Sequence, residues 1–106
     1  PDIILLDEPL STLDSRNQKL LLESIDMLRE TDKTIIIAEH DVRHLLERAD
    51  KVLLMDGGRL EKIGSPSELV GELDKNGIRI PFNSKLAIRL GIDDVPLSNE
   101  KEVEYY

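Results

Sequence analysis

Two short polar clusters hold the side chains in this sequence that could do chemistry. Asp7-Glu8 directly follows the apolar run Ile3 to Leu6, and Glu39-His40-Asp41 directly follows a second run, Thr34 to Ala38. If both runs are parallel strands of one sheet, both clusters fall at the strands' carboxyl ends, the edge where open parallel sheets bind ligands. Two carboxylates and an imidazole then converge. Successive strand residues point to opposite faces, so Asp7 and Glu8 take different jobs. One can hold a hard cation such as Mg²⁺ through oxygen and water, and the other can orient or deprotonate an attacking water. The plain alternative for each is structural: acidic residues after a strand also serve as solvated loop residues or helix caps, and a histidine near a helix start also caps or packs. His44 falls within a predicted helix, away from that edge, and is read as structural.

The elements that must position these groups can be read in order. Ile3 to Leu6 is apolar without alternation, the pattern of a strand buried on both faces. From Asp14, a candidate N-cap, to Glu30 the residues Leu21, Ile25 and Leu28 recur at helical spacing, with Leu20 and Met27 on the same broad face. After a turn at Thr31-Asp32-Lys33, Thr34 to Ala38 repeats the buried-strand pattern. Strand, helix and strand together predict a right-handed βαβ unit with parallel strands. Val42, Leu45 and Leu46 mark a short helix, and Lys51 to Met55 a third strand. Asp56-Gly57-Gly58 is a hairpin turn signal, with Arg59 to Ile63 as the return strand. Ser65-Pro66-Ser67-Glu68 combines an N-cap, a proline at the first helical position and a glutamate three residues after the cap, opening a helix through about Leu73. From Asn76 to Tyr106 a small helical segment is expected, with one helix near Asn83 to Leu90 closed by Gly91 and another beginning around Ser98.

Composition narrows the classes of function. The 106 residues include 14 Lys+Arg against 22 Asp+Glu, a formal net charge of −8, with no run of basic residues to hold a phosphate backbone or an anionic membrane surface. Nucleic-acid binding through a basic patch is therefore excluded as an expectation. The longest purely apolar stretches are four residues each, far from the roughly 20 needed to span a bilayer, so direct membrane insertion is not expected. With no cysteine, disulfides, thiolate metal sites and thiol nucleophiles are ruled out. The chain opens on Pro1-Asp2 rather than Met and enters an apolar run at once, as a piece cut just ahead of a buried strand would.

At these residues the sequence resembles a family. Ile3-Ile4-Leu5-Leu6-Asp7-Glu8-Pro9 is similar to the Walker B segment of ATP-binding cassette (ABC) ATPases, Ser11-Thr12-Leu13-Asp14 to the D-loop beyond it, and Ile35-Ile36-Ile37-Ala38-Glu39-His40-Asp41 to the switch-histidine segment. Each motif alone is common; the three in this order and spacing are specific. Ala49 to Val52, Met55 to Arg59 and Gly64-Ser65-Pro66 also resemble the closing hairpin and helix of transporter-type cassettes. Pro81-Phe82, Leu86 to Gly91 and Val95 to Ser98 resemble the C-terminal extension of cobalt/nickel and energy-coupling-factor ATPases, although Ile80-Pro81 stands where that group usually shows a doubled proline.

The resemblance implies an α/β fold, the C-terminal part of a P-loop NTPase cassette: a parallel sheet with flanking helices, a closing β-hairpin and a small helical extension. Residues 1–75 would be the ATPase portion and 76–106 the extension. It further implies ATP and Mg as cofactors: Asp7 would hold the Mg²⁺ of Mg-ATP, Glu8 would polarise the attacking water, and His40 would contact the γ-phosphate. Ser11, Leu13 and Asp14 would lie in the loop that crosses to a second ATPase subunit of a homo- or heterodimer. Transmembrane transporter subunits would be the other partners, placing the protein in the cytoplasm, peripheral on the inner face of the membrane. The phosphate loop Gly-x-x-x-x-Gly-Lys-Ser/Thr and the signature Ser-Gly-Gly-Gln are absent from the sequence and in this family precede the Walker B strand. The chain alone is therefore expected to be inactive. Two other readings remain open from sequence, a soluble ABC-type ATPase of DNA repair or translation, and a non-enzymatic α/β interaction module in which Asp7, Glu8 and His40 are structural.

Overall fold

In a computed structural model the chain is described over residues 2–98. By packing it divides after His40 into two compact units. The first holds strand β1 (Ile3–Asp7), helix α1 (Ser15–Arg29) and strand β2 (Thr34–Ala38). β1 and β2 pair in parallel, Ile3 opposite Thr34 through Asp7 opposite Ala38, as the strand-helix-strand order requires. Asp14 caps α1, its carboxylate accepting the Asn17 amide at 2.9 Å, which satisfies one of the four free N–H groups of the first turn.

The strands are not covered on both faces. Ile4, Leu6, Ile35 and Ile37 are half-buried, whereas Ile3, Leu5 and Ile36 are 61%, 73% and 48% exposed. Two strands and one helix can shield one side of a sheet only, so the alternation shows in burial although it is missing from the sequence. The helix face is also shifted from expectation. Leu22 and Ile25 are buried, Leu21 and Leu28 half-buried, and Leu20 and Met27 exposed. A helix that is apolar over so wide an arc leaves the choice of stripe to its neighbours.

The second unit builds a core of its own. Strands β3 (Val52–Asp56) and β4 (Arg59–Gly64) form an antiparallel hairpin, with a register shift at Leu54/Met55 that marks a bulge. Gly57 and Gly58 both have positive φ, 58° and 77°, as a two-residue turn between twisted strands demands. Helix α2 (Pro66–Lys75) opens on the expected capping box, with the Ser65 hydroxyl accepting the Glu68 amide at 3.2 Å and the Glu68 carboxylate accepting the Ser65 amide at 3.1 Å. Helix α3 (Phe82–Arg89) ends at Gly91, where Ile92 N–H reaches the Ala87 carbonyl at 3.0 Å and Gly91 N–H the Ile88 carbonyl at 3.2 Å, the paired bonds of a left-handed helix stop.

Leu46, Leu54, Val70, Leu73 and Ile80 make the core of this unit, with Val42, Ile88, Val95 and Leu97 against it. Ser84, fully buried on α3, donates its hydroxyl to the Pro96 carbonyl. The division at residues 75/76 expected from family parts runs through this core. Where Val42, Leu45 and Leu46 predict a short helix, residues 43–45 form turns that lead into a single 3₁₀ turn, Leu46–Arg48. The helix expected around Ser98 lies outside the described residues apart from Ser98 itself.

Candidate functional site

The geometry begins where β1 stops. The Glu8 amide donates to the Ala38 carbonyl at 2.8 Å, one rung beyond the last ladder pair, and Glu8 then takes φ of 46°. That left-handed conformation costs a non-glycine residue about 1–2 kcal/mol. Ser11 holds it in place, its hydroxyl and its amide both donating to the Glu8 carbonyl, at 3.0 and 3.4 Å. Strain kept in place by surrounding bonds is a recurrent mark of functional positions.

The turned Glu8 meets His40 across the parallel pair. Glu8 Oε1 and His40 Nδ1 lie 2.8 Å apart, joining residues 32 positions apart in the chain. A carboxylate has no proton to give, so the imidazole donates from Nδ1, and Nε2 is the nitrogen left for a ligand. Glu8 keeps its second oxygen for another donor. Both side chains are open to solvent, Glu8 50% and His40 66% exposed.

Glu39 completes the cluster. Its Oε2 accepts the Leu10 amide at 3.2 Å, and Glu8, Glu39 and His40 each offer one donor atom within 4.8 Å of the others. The set is a poor match for Mg²⁺, which demands oxygen ligands, because one of the three donors is a nitrogen. Asp7 fits that ion better. It is exposed, it ends β1 opposite Ala38, and it stands outside the three-residue group. Its oxygens can take a hydrated hard cation.

Other residues singled out by the sequence hold the loop or lie apart from the cluster. Ser11 secures the Glu8 carbonyl, and Leu13, half-buried, donates its amide to the Leu10 carbonyl at 3.3 Å. Asp14 is the α1 cap. Asp41 belongs to the second unit, where it accepts both Arg43 Nε at 2.9 Å and Arg43 Nη2 at 2.8 Å, with Arg79 Nη1 at 4.0 Å. Burial alone would raise its pKa, but the Arg43 fork and the nearby Arg79 charge hold it below its ordinary value. His44 is exposed, and its carbonyl accepts from the Arg48 guanidinium. Sequence reasoning missed Glu39 and Gln18 as holders of the loop. Gln18 Nε2 donates to the Leu10 carbonyl at 3.0 Å, and neither residue carries a local signal, since their partner lies in another element or a preceding loop.

Known proteins resemble the chain over most of its length. It is 37% identical to an ABC transporter ATP-binding protein of Pyrococcus furiosus over 88% of this chain and 35% of that protein. It is 34% identical to the energy-coupling factor transporter ATP-binding protein EcfA2 of Mycoplasmopsis synoviae over 97% of this chain and 35% of that protein. Among solved structures it resembles CbiO1 of Clostridium perfringens, part of the ABC transporter complex CbiONQ, with a TM-score of 0.59 and 30% identity over 86% of this chain and 34% of that one. The chain thus spans about a third of the length of these relatives. No protein-family model matches it.

Proposed function

Because the chain belongs to the ABC transporter ATP-binding family, we propose that it is the C-terminal part of a subunit that hydrolyses ATP to drive membrane transport. The observation that carries this reading is the 2.8 Å bond between Glu8 and His40 beside the left-handed turn of Glu8. In phosphoryl transfer the protein's contribution is mostly positioning and electrostatics. Glu8 accepts the proton of the attacking water on the oxygen that His40 leaves free. His40, steered by its Nδ1 bond, would meet the γ-phosphate oxygens as a donor through a protonated Nε2 and so limit where the water can sit. Asp7 would hold the Mg²⁺ of Mg-ATP through water, and the ion would neutralise phosphate charge.

Ser11, Leu13 and Asp14 belong to the loop proposed to face a second ATPase subunit, as a homo- or heterodimer. Residues 76–106 are the proposed extension that helps hold the two subunits together. Transmembrane transporter subunits complete the assembly, with the protein on the cytoplasmic face of the membrane. Among the described residues no helix is long and apolar enough to cross a bilayer. Metal or vitamin uptake is proposed as the transport served, on the resemblance of Pro81-Phe82, Leu86 to Gly91 and Val95 to Ser98 to the extension of cobalt/nickel and energy-coupling-factor ATPases.

The decisive variant is Glu8→Gln in the whole subunit, expected to lower turnover by about 10² or more while Mg-ATP binding is retained. Unchanged turnover would remove Glu8 from catalysis. The 106-residue chain, which has no Gly-x-x-x-x-Gly-Lys-Ser/Thr segment to cradle phosphates, is proposed to be inactive alone. Calorimetry with Mg-ATP checks this: a micromolar affinity, about −8 kcal/mol, overturns it.

A further inference from the structure

Three consecutive residues at and just past the end of β2 grip two positions after β1, Glu8 and Leu10, each by a different chemistry. The Ala38 carbonyl accepts the Glu8 amide, the His40 ring meets the Glu8 carboxylate, and between them Glu39 Oε2 accepts the Leu10 amide at 3.2 Å. Leu10 is the anchor of the loop beyond β1. Its side chain is buried, and its carbonyl receives both Gln18 Nε2 at 3.0 Å and the Leu13 amide at 3.3 Å. Both backbone groups of Leu10 are thereby satisfied, one by the end of β2 and one chiefly by α1, as backbone polar groups out of water require.

We infer that Glu39 is a positioning residue of the Glu8–His40 site: by holding the Leu10 amide it fixes loop 9–13, and through that loop the strained backbone of Glu8. The consequence deepens the ATPase reading and rests on it. Leu10 is followed by Ser11, whose hydroxyl and amide keep Glu8 at positive φ, and by Leu13 and Asp14, the proposed contact with a second subunit. Glu39 therefore ties the segment that carries His40 to the segment that faces the partner, within one short stretch of chain. Its carboxylate touches neither water nor phosphate in this role. It acts through Leu10.

Amide hydrogen exchange in the chain tests the brace directly, with Glu39→Ala and Glu39→Gln compared with wild type. In Glu39→Ala the Leu10 amide is expected to exchange about tenfold faster while the Ile25 amide in α1 is unchanged, as one lost hydrogen bond predicts. Glu39→Gln keeps a side-chain oxygen acceptor and is expected to stay within about threefold of wild type. Equal Leu10 protection in wild type and Glu39→Ala overturns the brace. A general loss of protection in Glu39→Ala that Glu39→Gln shares also overturns it, because the residue would then be supporting the fold as a whole. In the whole subunit, Glu39→Ala is expected to lower kcat about tenfold with KM for Mg-ATP within about twofold, and Glu39→Gln to restore kcat. Equal kcat in Glu39→Ala and wild type overturns the positioning role. A wild-type subunit that hydrolyses no ATP overturns the ATPase reading instead, and leaves the exchange comparison to decide the brace.

Discussion

The two units of this chain solve the packing problem differently. The second unit encloses its own core: a hairpin, two helices and the 95–98 segment converge on Leu46, Leu54, Val70, Leu73 and Ile80. The first unit carries the candidate chemistry but leaves one face of its parallel pair bare, with Ile3, Leu5 and Ile36 open to solvent. Two parallel strands and one helix cannot bury both faces, and parallel sheets occur almost only with both faces covered. The difference teaches that the site-bearing unit draws its precision from hydrogen bonds at the strand ends, whereas the second unit draws its stability from apolar packing.

The sharpest way to break that comparison is Leu46→Ala. Leu46 is 1% exposed at the centre of the second unit, so truncation should cost about 2–5 kcal/mol, measured as a fall in the urea midpoint at constant slope. A loss below about 1 kcal/mol would mean that the cluster is not the core of that unit.

An intermediate effect is expected from acid. Asp41 is held below its ordinary value of 3.8 despite partial burial, because Arg43 and Arg79 favour its charged form. A carboxylate with a lowered folded pKa adds stability that is complete above the unfolded value and lost as pH falls through the folded one. Between pH 5 and pH 3 wild type should therefore lose more stability than Asp41→Asn, which has no charge to lose. Equal losses would show that the Arg43 fork adds nothing.

The smallest expected effect concerns the bare face. Leu5→Thr exchanges a 73% exposed leucine for another strand-forming residue, and stability should change by no more than about 0.5 kcal/mol. A cost like that of Leu46→Ala would show that the face is covered in solution, and the contrast between the units would disappear.

Much of the site was legible in the sequence because its members sit directly after apolar runs. Glu8 directly follows one strand and His40 lies two residues past the other, so parallel pairing alone predicts their approach, whereas Asp7, the last residue of β1, stays outside the cluster. Asp41 shows where that logic stops. It is next to His40 in the chain, yet it pairs with Arg43 and Arg79, because a carboxylate goes to the nearest guanidinium that the local turn presents. Glu39 was visible as part of the cluster but not as the acceptor of the Leu10 amide, a contact over 29 positions.

What the sequence determined by itself is local. The caps at Asp14 and Ser65, the Gly57-Gly58 turn and the stop at Gly91 each depend on a few neighbouring residues, whose conformational preferences act before any tertiary contact forms. The tertiary structure decided which stripe of α1 is buried, which face of β1 and β2 is left open, and the left-handed backbone of Glu8. Those outcomes depend on where distant segments meet, and no local preference encodes a meeting point: the φ of 46° at Glu8 survives only because Ala38 and Ser11 hold it from both sides.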